Sequence, residues 1–312
     1  MASPLQNAAL VVLGGPQPGA DTGKSDFDTK ARKQSQVIMR RFLHHRLAMG
    51  SLIVLLLLII LAFVVPIFWP YNYADTSSGG YLDPSSTHPL GTNQVGNDML
   101  AQLMRGTQLS LQIAFVVAII STFIGVMLGA LGGYLRGAVD SLIGRAIDLF
   151  LIVPQVVLAA ILVSGLGGSW YTVAFILAFT LWMSTARIIR GETLSLAAQE
   201  FIEAARAAGA STWRIITRHL IPNMIGSISV NATLTVALAV LVEAALSFIG
   251  LGVHIPDTSL GLVLNQNYAQ VLERPWLFFG PFVVIVLISL TVNFIGDGMR
   301  DAFDPRQTKV RA

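Results

Sequence analysis

The sequence predicts an all-α integral membrane protein with six transmembrane helices and both termini in the cytoplasm. Three observations carry that expectation: the scarcity of charge, the length of the uncharged runs and the placement of the positive residues. Of 312 residues, 54% are apolar and only 12% charged, and the mean hydropathy is +0.68. Soluble domains carry about 25% charged residues. A chain so poor in charge cannot cover its own surface in water, so lipid must cover much of it. Cysteine is absent, which excludes disulfides and thiolate metal sites. The net charge of +3 is not gathered beside aromatics on a soluble face, so nucleic acid is excluded as a partner.

A bilayer core of ~30 Å takes about 20 apolar helical residues to cross. Uncharged runs of that order occupy Leu47–Trp69, Thr107–Leu135, Leu149–Ala186 and Pro275–Gly296. The third run holds 38 residues and is interrupted by Gly165, Gly167, Gly168 and Ser169, so it reads as two spans joined by a turn. A further span, from about Gly226 to Leu251, contains one charge, Glu243. The first run is too long for the apolar region of a cleaved leader and reads as a permanent span.

Orientation follows from the loops. With both termini inside, 18 of the 20 Lys and Arg residues fall on the cytoplasmic side, and only Arg105 and Arg274 lie outside. That bias is the one membrane insertion imposes. The expected organisation is a flexible cytoplasmic tail over 1–31, an amphipathic interfacial helix over 32–46, and a first transmembrane helix over 47–69. An extracytoplasmic loop over 70–106 follows, then a core of five transmembrane helices over 107–299 that contains a cytoplasmic loop at 187–222. A cytoplasmic tail over 300–312 ends the chain.

Within the spans, Gly125, Gly129, Gly133 and Gly137 recur every four residues and form a smooth ridge on which a neighbouring helix can sit closely. Pro154 lacks an N–H and should kink the third span. Asp148 stands one turn from Arg145 and reads as half of a local ion pair. Glu243 has two readings, a residue lining a pathway or gate and a residue paired inside the bundle, because a carboxylate in a span faces protein or water.

Near the N-terminus, Gly14, Gly15 and Gly23-Lys24-Ser25 imitate a phosphate-binding loop. Pro18 stands where that pattern needs a glycine, and no α/β domain follows, so no nucleotide site is expected.

The cytoplasmic loop between the fourth and fifth spans holds the functional signal. Residues 200–208, rich in Ala, Glu and Arg, favour a short helix. Gly209 can take the positive φ that ends it. Small Ala side chains let such a helix sit deep in a partner's groove, with Phe201 and Glu203 as apolar anchor and edge charge. Pro222 marks the start of the fifth span.

This run resembles the coupling motif of binding-protein-dependent ABC importer permeases: Glu-Ala-Ala, three residues, Gly, nine residues, then Ile-x-Leu-Pro. Glu203, Ala204, Ala205, Gly209 and Pro222 match. His219 and Ile221 depart from the general pattern, but His219-Leu220-Ile221-Pro222-Asn223 is similar to the variant of the peptide and nickel branch. His88-Pro89-Leu90-Gly91-Thr92 with Gly96 and Asp98 resembles the segment before that family's second span; Asn93 and Asn97 replace its Asp and Arg, which puts any charge-dependent role there in doubt. Glu243 to Gly252 resembles the end of the family's fifth helix, with Leu260 in place of its usual Trp. Gly296 to Arg306 resembles its C-terminal tail. The resemblance covers roughly residues 35–306, and the long loop before the second span favours the C-type subunit of the dipeptide/oligopeptide branch.

The resemblance implies the MetI-like ABC importer permease fold in a prokaryotic cytoplasmic membrane. It implies a transport subunit that is no enzyme and binds no cofactor, ATP being used by partner subunits. Those partners would be cytoplasmic ATPases docking at Phe201, Glu203, Ala204, Ala205, Gly209 and Pro222, a second homologous permease forming a heterodimer, and an extracytoplasmic binding protein that delivers di- or oligopeptides. Nickel chelates or glutathione are alternative cargoes of the same machinery. A distant alternative is a secondary transporter with Glu243 as proton carrier, which predicts an inverted repeat that the sequence does not show.

Overall fold

The structure, a computed structural model, describes residues 34–303. The tail over 1–31 with its phosphate-loop imitation, Arg32, Lys33 and the residues from Asp304 onward lie outside the described residues. Among the described residues, those from Ile38 onward form the helical body.

The regular structure of the described residues is helical, almost all of it α, with one π-turn, one 3-10 turn and one isolated bridge. A short helix, α1 (Gln34–His44), runs to the start of α2 (Arg46–Phe63), whose N-cap is His45, its ring nitrogen accepting the Ala48 N–H at 3.1 Å. Pro66 opens the next turn, α3 (Val65–Phe68). Then come α4 (Met99–Leu135), α5 (Gly137–Ile152), α6 (Gln155–Leu166) and α7 (Trp170–Leu196). Short helices α8 (Glu200–Ala207) and α9 (Thr212–Ile215), a π-turn at Ile216–Leu220 and α10 (Ile221–Asn223) lead into α11 (Ile225–Phe248). The chain closes with α12 (Leu260–Asn267) and α13 (Pro275–Phe303).

Five of these stretches are long and apolar enough to cross a membrane: α2 with α3, then α4, α7, α11 and α13. The sixth expected span is a broken pair. Pro154 does more than kink it, because α5 and α6 meet at Val153–Pro154 with an 88° bend. The 12-residue α6 is ~18 Å long at 1.5 Å per residue, too short to cross alone. The turn expected at Gly165–Ser169 is present, with Gly167 at φ +94° and Ser169 capping α7.

Several boundaries move outward from their expected positions. α4 begins at Met99 rather than Thr107, since Asp98 caps it and Arg105 is neutralised by Asp257 at 2.6 Å. α7 runs to Leu196, so the first part of 187–222 is helix and not loop. α13 continues through Arg300 to Phe303, where a tail had been expected; His45 pairs with Asp301 at 3.4 Å and ties that last turn to the start of α2.

The central contact is between α4 and α7. A Cβ added at Gly125 would stand 2.8 Å from Trp182 O, at Gly129 2.6 Å from Ala186 O, and at Gly133 2.7 Å from Arg190 O. The ridge thus lets α7 lie against bare backbone. Gly137 does not belong to it: it has φ +58°, meets nothing within 4 Å and opens α5. Gly129→Ala is expected to destabilise the bundle by about 1–3 kcal/mol through overpacking. Gly144→Ala, in the α5 interior with no neighbour closer than 3.8 Å, should stabilise it by about 0.5–1 kcal/mol. Thermal unfolding of the purified complex reads both, and equal signs would show that the ridge does not set the α4–α7 spacing.

Candidate functional site

Two ends of the helical body matter for function. One, here the loop face, gathers residues 70–98, the turn between α6 and α7, and the connection between α11 and α12. The other, the α8 face, gathers the ends of α4 and α7 with α8 to α10.

On the α8 face, Glu200 and Glu203 sit in the first turn of α8 and Arg206 in its last, each placed favourably for the helix dipole. Gly209 has φ +77° and ends the helix: its N–H donates to Arg206 O at 3.0 Å, and the Ala210 N–H reaches back to Ala205 O at 3.1 Å. One side of the helix is rooted. Ile202 is fully buried among Val126 and Ala130 of α4, Ile189 of α7, and Ile215, Ile216, Leu220 and Met224. The Arg206 guanidinium lies 5.6 Å from the Tyr134 ring centre at the end of α4, a cation–π contact. The other side is open: Phe201, Glu203 and Ala204 are exposed, Ala205 is half-buried, and Trp213 projects from α9.

The structure therefore brings Phe201, Glu203, Ala204, Ala205 and Gly209 onto one short helix and its cap. Pro222, also exposed, begins the run into α11 beyond the π-turn. Ile202, Arg206 and Tyr134 were not among the expected site residues. For Ile202 the signal was available, as the one large aliphatic side chain inside a run of Glu, Ala and Arg.

Two ion pairs brace the same face. Arg190 of α7 holds Asp140 of α5 through two hydrogen bonds. Asp148 pairs with Arg187 at 2.7 Å and not with Arg145, because the bend turns α5 alongside α7.

At the loop face, Glu243 is 0% exposed. Its Oε1 accepts from Ser247 at 2.7 Å and its Oε2 from Ser110 at 2.8 Å. Both carboxyl oxygens are thus engaged by hydroxyls of the bundle.

The loop over 70–98 is an ordered cap. Asp98 accepts the Ala101 N–H at 2.8 Å and the Trp69 indole N–H at 3.1 Å, and its second oxygen is 2.8 Å from His88 Nδ1. The His88 ring lies 4.4 Å from that of Tyr71. Asn93 and Asn97, which stand where the resemblance expects Asp and Arg, hydrogen-bond each other at 2.9 Å. A neutral pair thus occupies the positions of a charged one and avoids burying two ions. Among outlying groups, the Ser77 amide and hydroxyl hold the Asp75 carboxyl below the usual carboxylate range.

Residues 121–309 match the family model described as binding-protein-dependent transport system inner membrane component. The chain belongs to that family. It is a multi-pass membrane permease subunit of the ABC transporter class. Residues 33–89 also match the model described as the N-terminal TM domain of oligopeptide transport permease C. Relatives of this permease include the oligopeptide transport system permease protein OppC of Mycobacterium tuberculosis H37Rv, 41% identical over 287 residues, covering 91% of this chain and 98% of that protein. The Escherichia coli K12 protein of the same name is 39% identical, covering 90% and 94%, and that of Bacillus subtilis 168 is 35% identical, covering 87% and 89%. Among solved structures, an inward facing conformation of the MetNI methionine ABC transporter superposes with a TM-score of 0.55 at 20% identity, over 66% of this chain and 98% of that one. The permease therefore has the MetI-like fold.

Proposed function

We propose that this permease is one of two homologous membrane subunits of an ATP-driven, binding-protein-dependent importer of di- and oligopeptides. The 35–41% identity to oligopeptide permeases over most of the chain supports the cargo class. In this reading both termini and the α8 face are cytoplasmic and the loop face points outward, as the distribution of Lys and Arg favours.

The observation that carries the coupling role is that α8 is rooted on one side and bare on the other. Ile202 fixes it to α4 and α7, while Phe201, Glu203 and the alanines stand free for a cytoplasmic ATPase subunit. Closure of the ATPase pair on ATP then moves α8, and the buried cluster passes that motion to the spans. The chain's own work is to bind the ATPase, transmit its movement and form half of the peptide path; nucleotide chemistry belongs to the partner.

The test is peptide uptake and ATP hydrolysis in proteoliposomes holding the whole complex. Glu203→Lys reverses the charge at the docking edge. Gly209→Pro removes the positive φ and the N–H that close the helix. Both are expected to assemble yet to lose peptide-stimulated hydrolysis and uptake together, at least tenfold. Undiminished uptake with ATP withdrawn would sink the reading.

A further inference from the structure

Glu243 is a buried carboxylate to which the coupling reading gives no task. It lies five residues before the end of α11, about 7.5 Å below the loop face. Each of its oxygens is engaged by a serine, and each serine does a second job. Ser247 Oγ donates to Oε1 and accepts the Val253 N–H at 3.1 Å. Ser110 Oγ donates to Oε2 and accepts the Leu260 N–H at 3.3 Å. Val253 lies within the connection between α11 and α12, and Leu260 is the first residue of α12. A third hydroxyl, that of Ser259, caps α12 by accepting the Leu262 N–H at 3.3 Å.

A serine has one proton to give. In a helix it commonly gives it to the carbonyl four residues back, as Thr107 does to Leu103, Thr233 to Ser229 and Thr235 to Asn231. Glu243 claims the protons of Ser110 and Ser247 instead, and so leaves their lone pairs facing the N–H groups of the connection.

The connection lies flush on its support. A Cβ at Gly252 would collide with the Ser247 hydroxyl, one at Gly261 with Ala244 O, and one at Gly106 would stand 3.1 Å from Leu260 N. From there the segment reaches across the loop face. The His254 N–H donates to Gly168 O, in the turn between α6 and α7, at 3.1 Å. Asp257 pairs with Arg105 of α4. Ile255 stands 75% exposed at its tip.

We propose that Glu243 is a positioning residue whose carboxylate holds residues 249–259 as a rigid cross-tie over the loop face. The tie joins α11 to α4 and to the α6–α7 turn. α11 follows directly on α8 to α10, so movement entering at the coupling helix reaches this end of the path through the tie. The proposal rests on the coupling reading above for its direction of action; its structural half stands alone.

The chain contains no cysteine, so a single Ile255→Cys can carry a spin label in a complex whose other subunits are cysteine-free. A second label at Leu142→Cys, exposed on α5, reports the rest of the fold. Glu243→Gln offers one acceptor oxygen where two were used. It is expected to raise label mobility at 255 and leave that at 142 unchanged. Basal ATP hydrolysis should persist, while the maximal stimulation by peptide-loaded binding protein falls at least tenfold at an unchanged half-saturating concentration. Ser247→Ala, which removes no charge, frees the Val253 end alone and is expected to mobilise the label as well. It decides the matter if the Gln variant does not assemble. An immobile label at 255 in these variants, or equal loosening at 142, overturns the tie. A wild-type complex that peptide does not stimulate overturns the importer reading and leaves the mobility result in force.

Discussion

Ile202→Asp is expected to abolish coupled transport while leaving the permease inserted and assembled. The side chain is 0% exposed and lies within a cluster drawn from α4, α7, α9, the π-turn and the start of α11. Truncating a buried Ile costs about 2–5 kcal/mol, and a carboxylate there is worse because nothing in the cluster can pair it. At about 1.4 kcal/mol per tenfold, even the truncation shifts docking of α8 by more than an order of magnitude. Besides Ile202, the Arg206–Tyr134 stack and the half-buried Ala205 and Ala210 on the same cluster hold the helix. The spans are closed by the much larger core around α4, α7, α11 and α13, so the loss stays local. Hydrogen exchange over 200–210 should accelerate while α4 and α7 remain protected, and uptake should fall at least tenfold. Phe201→Ala, on the exposed side, should lower uptake without changing that exchange. Protected amides at 200–210 in the Asp variant would show that Ile202 is not the root.

The contrast between Phe201 and Ile202 marks what sequence could and could not deliver. Composition and run length exposed the apolar spans because lipid imposes a length that few other environments demand. The glycine spacing exposed the α4–α7 seam, yet included Gly137, since spacing alone cannot say where a helix ends. Pro154 announced a disturbance but not its size. Losing one N–H kinks a helix, and whether the chain resumes in line depends on what the next segment meets; here α6 meets α7 and α11. Partners distant in sequence were the least legible. Asp148 was assigned to Arg145, three residues away, and pairs with Arg187 at a separation of 39. Glu243 was visible as a charge in a span, but Ser110 lies 133 residues before it. The segment over 200–209 was readable as a helix with a glycine stop because both are local properties. Which of its faces is rooted is a tertiary fact.

Asp98→Ala should produce the largest loss of stability at the loop face. One carboxylate serves three elements: the N-terminus of α4 through Ala101, the end of the first span through Trp69, and the cap loop through His88. Removing it forfeits a helix cap, about 1 kcal/mol. It also strands the buried His88 ring nitrogen and the half-buried Trp69 indole N–H at about 1–3 kcal/mol each, for a total of about 3–7 kcal/mol. Asp98→Asn keeps an oxygen for the α4 cap and presents an amide to the neighbouring groups, so it should cost less. Limited proteolysis is expected to open the chain between residues 70 and 98 before any site on the α8 face, with the melting temperature of the complex lowered. Coupling can be read directly: His88→Ala and Asp98→Ala share a contact, so the double variant should lose less than the sum of the two by about 0.5–3 kcal/mol. Strict additivity would mean that His88 and Asp98 act independently, Asp98 through Ala101 and Trp69 and His88 through its other contacts, the Tyr71 ring among them.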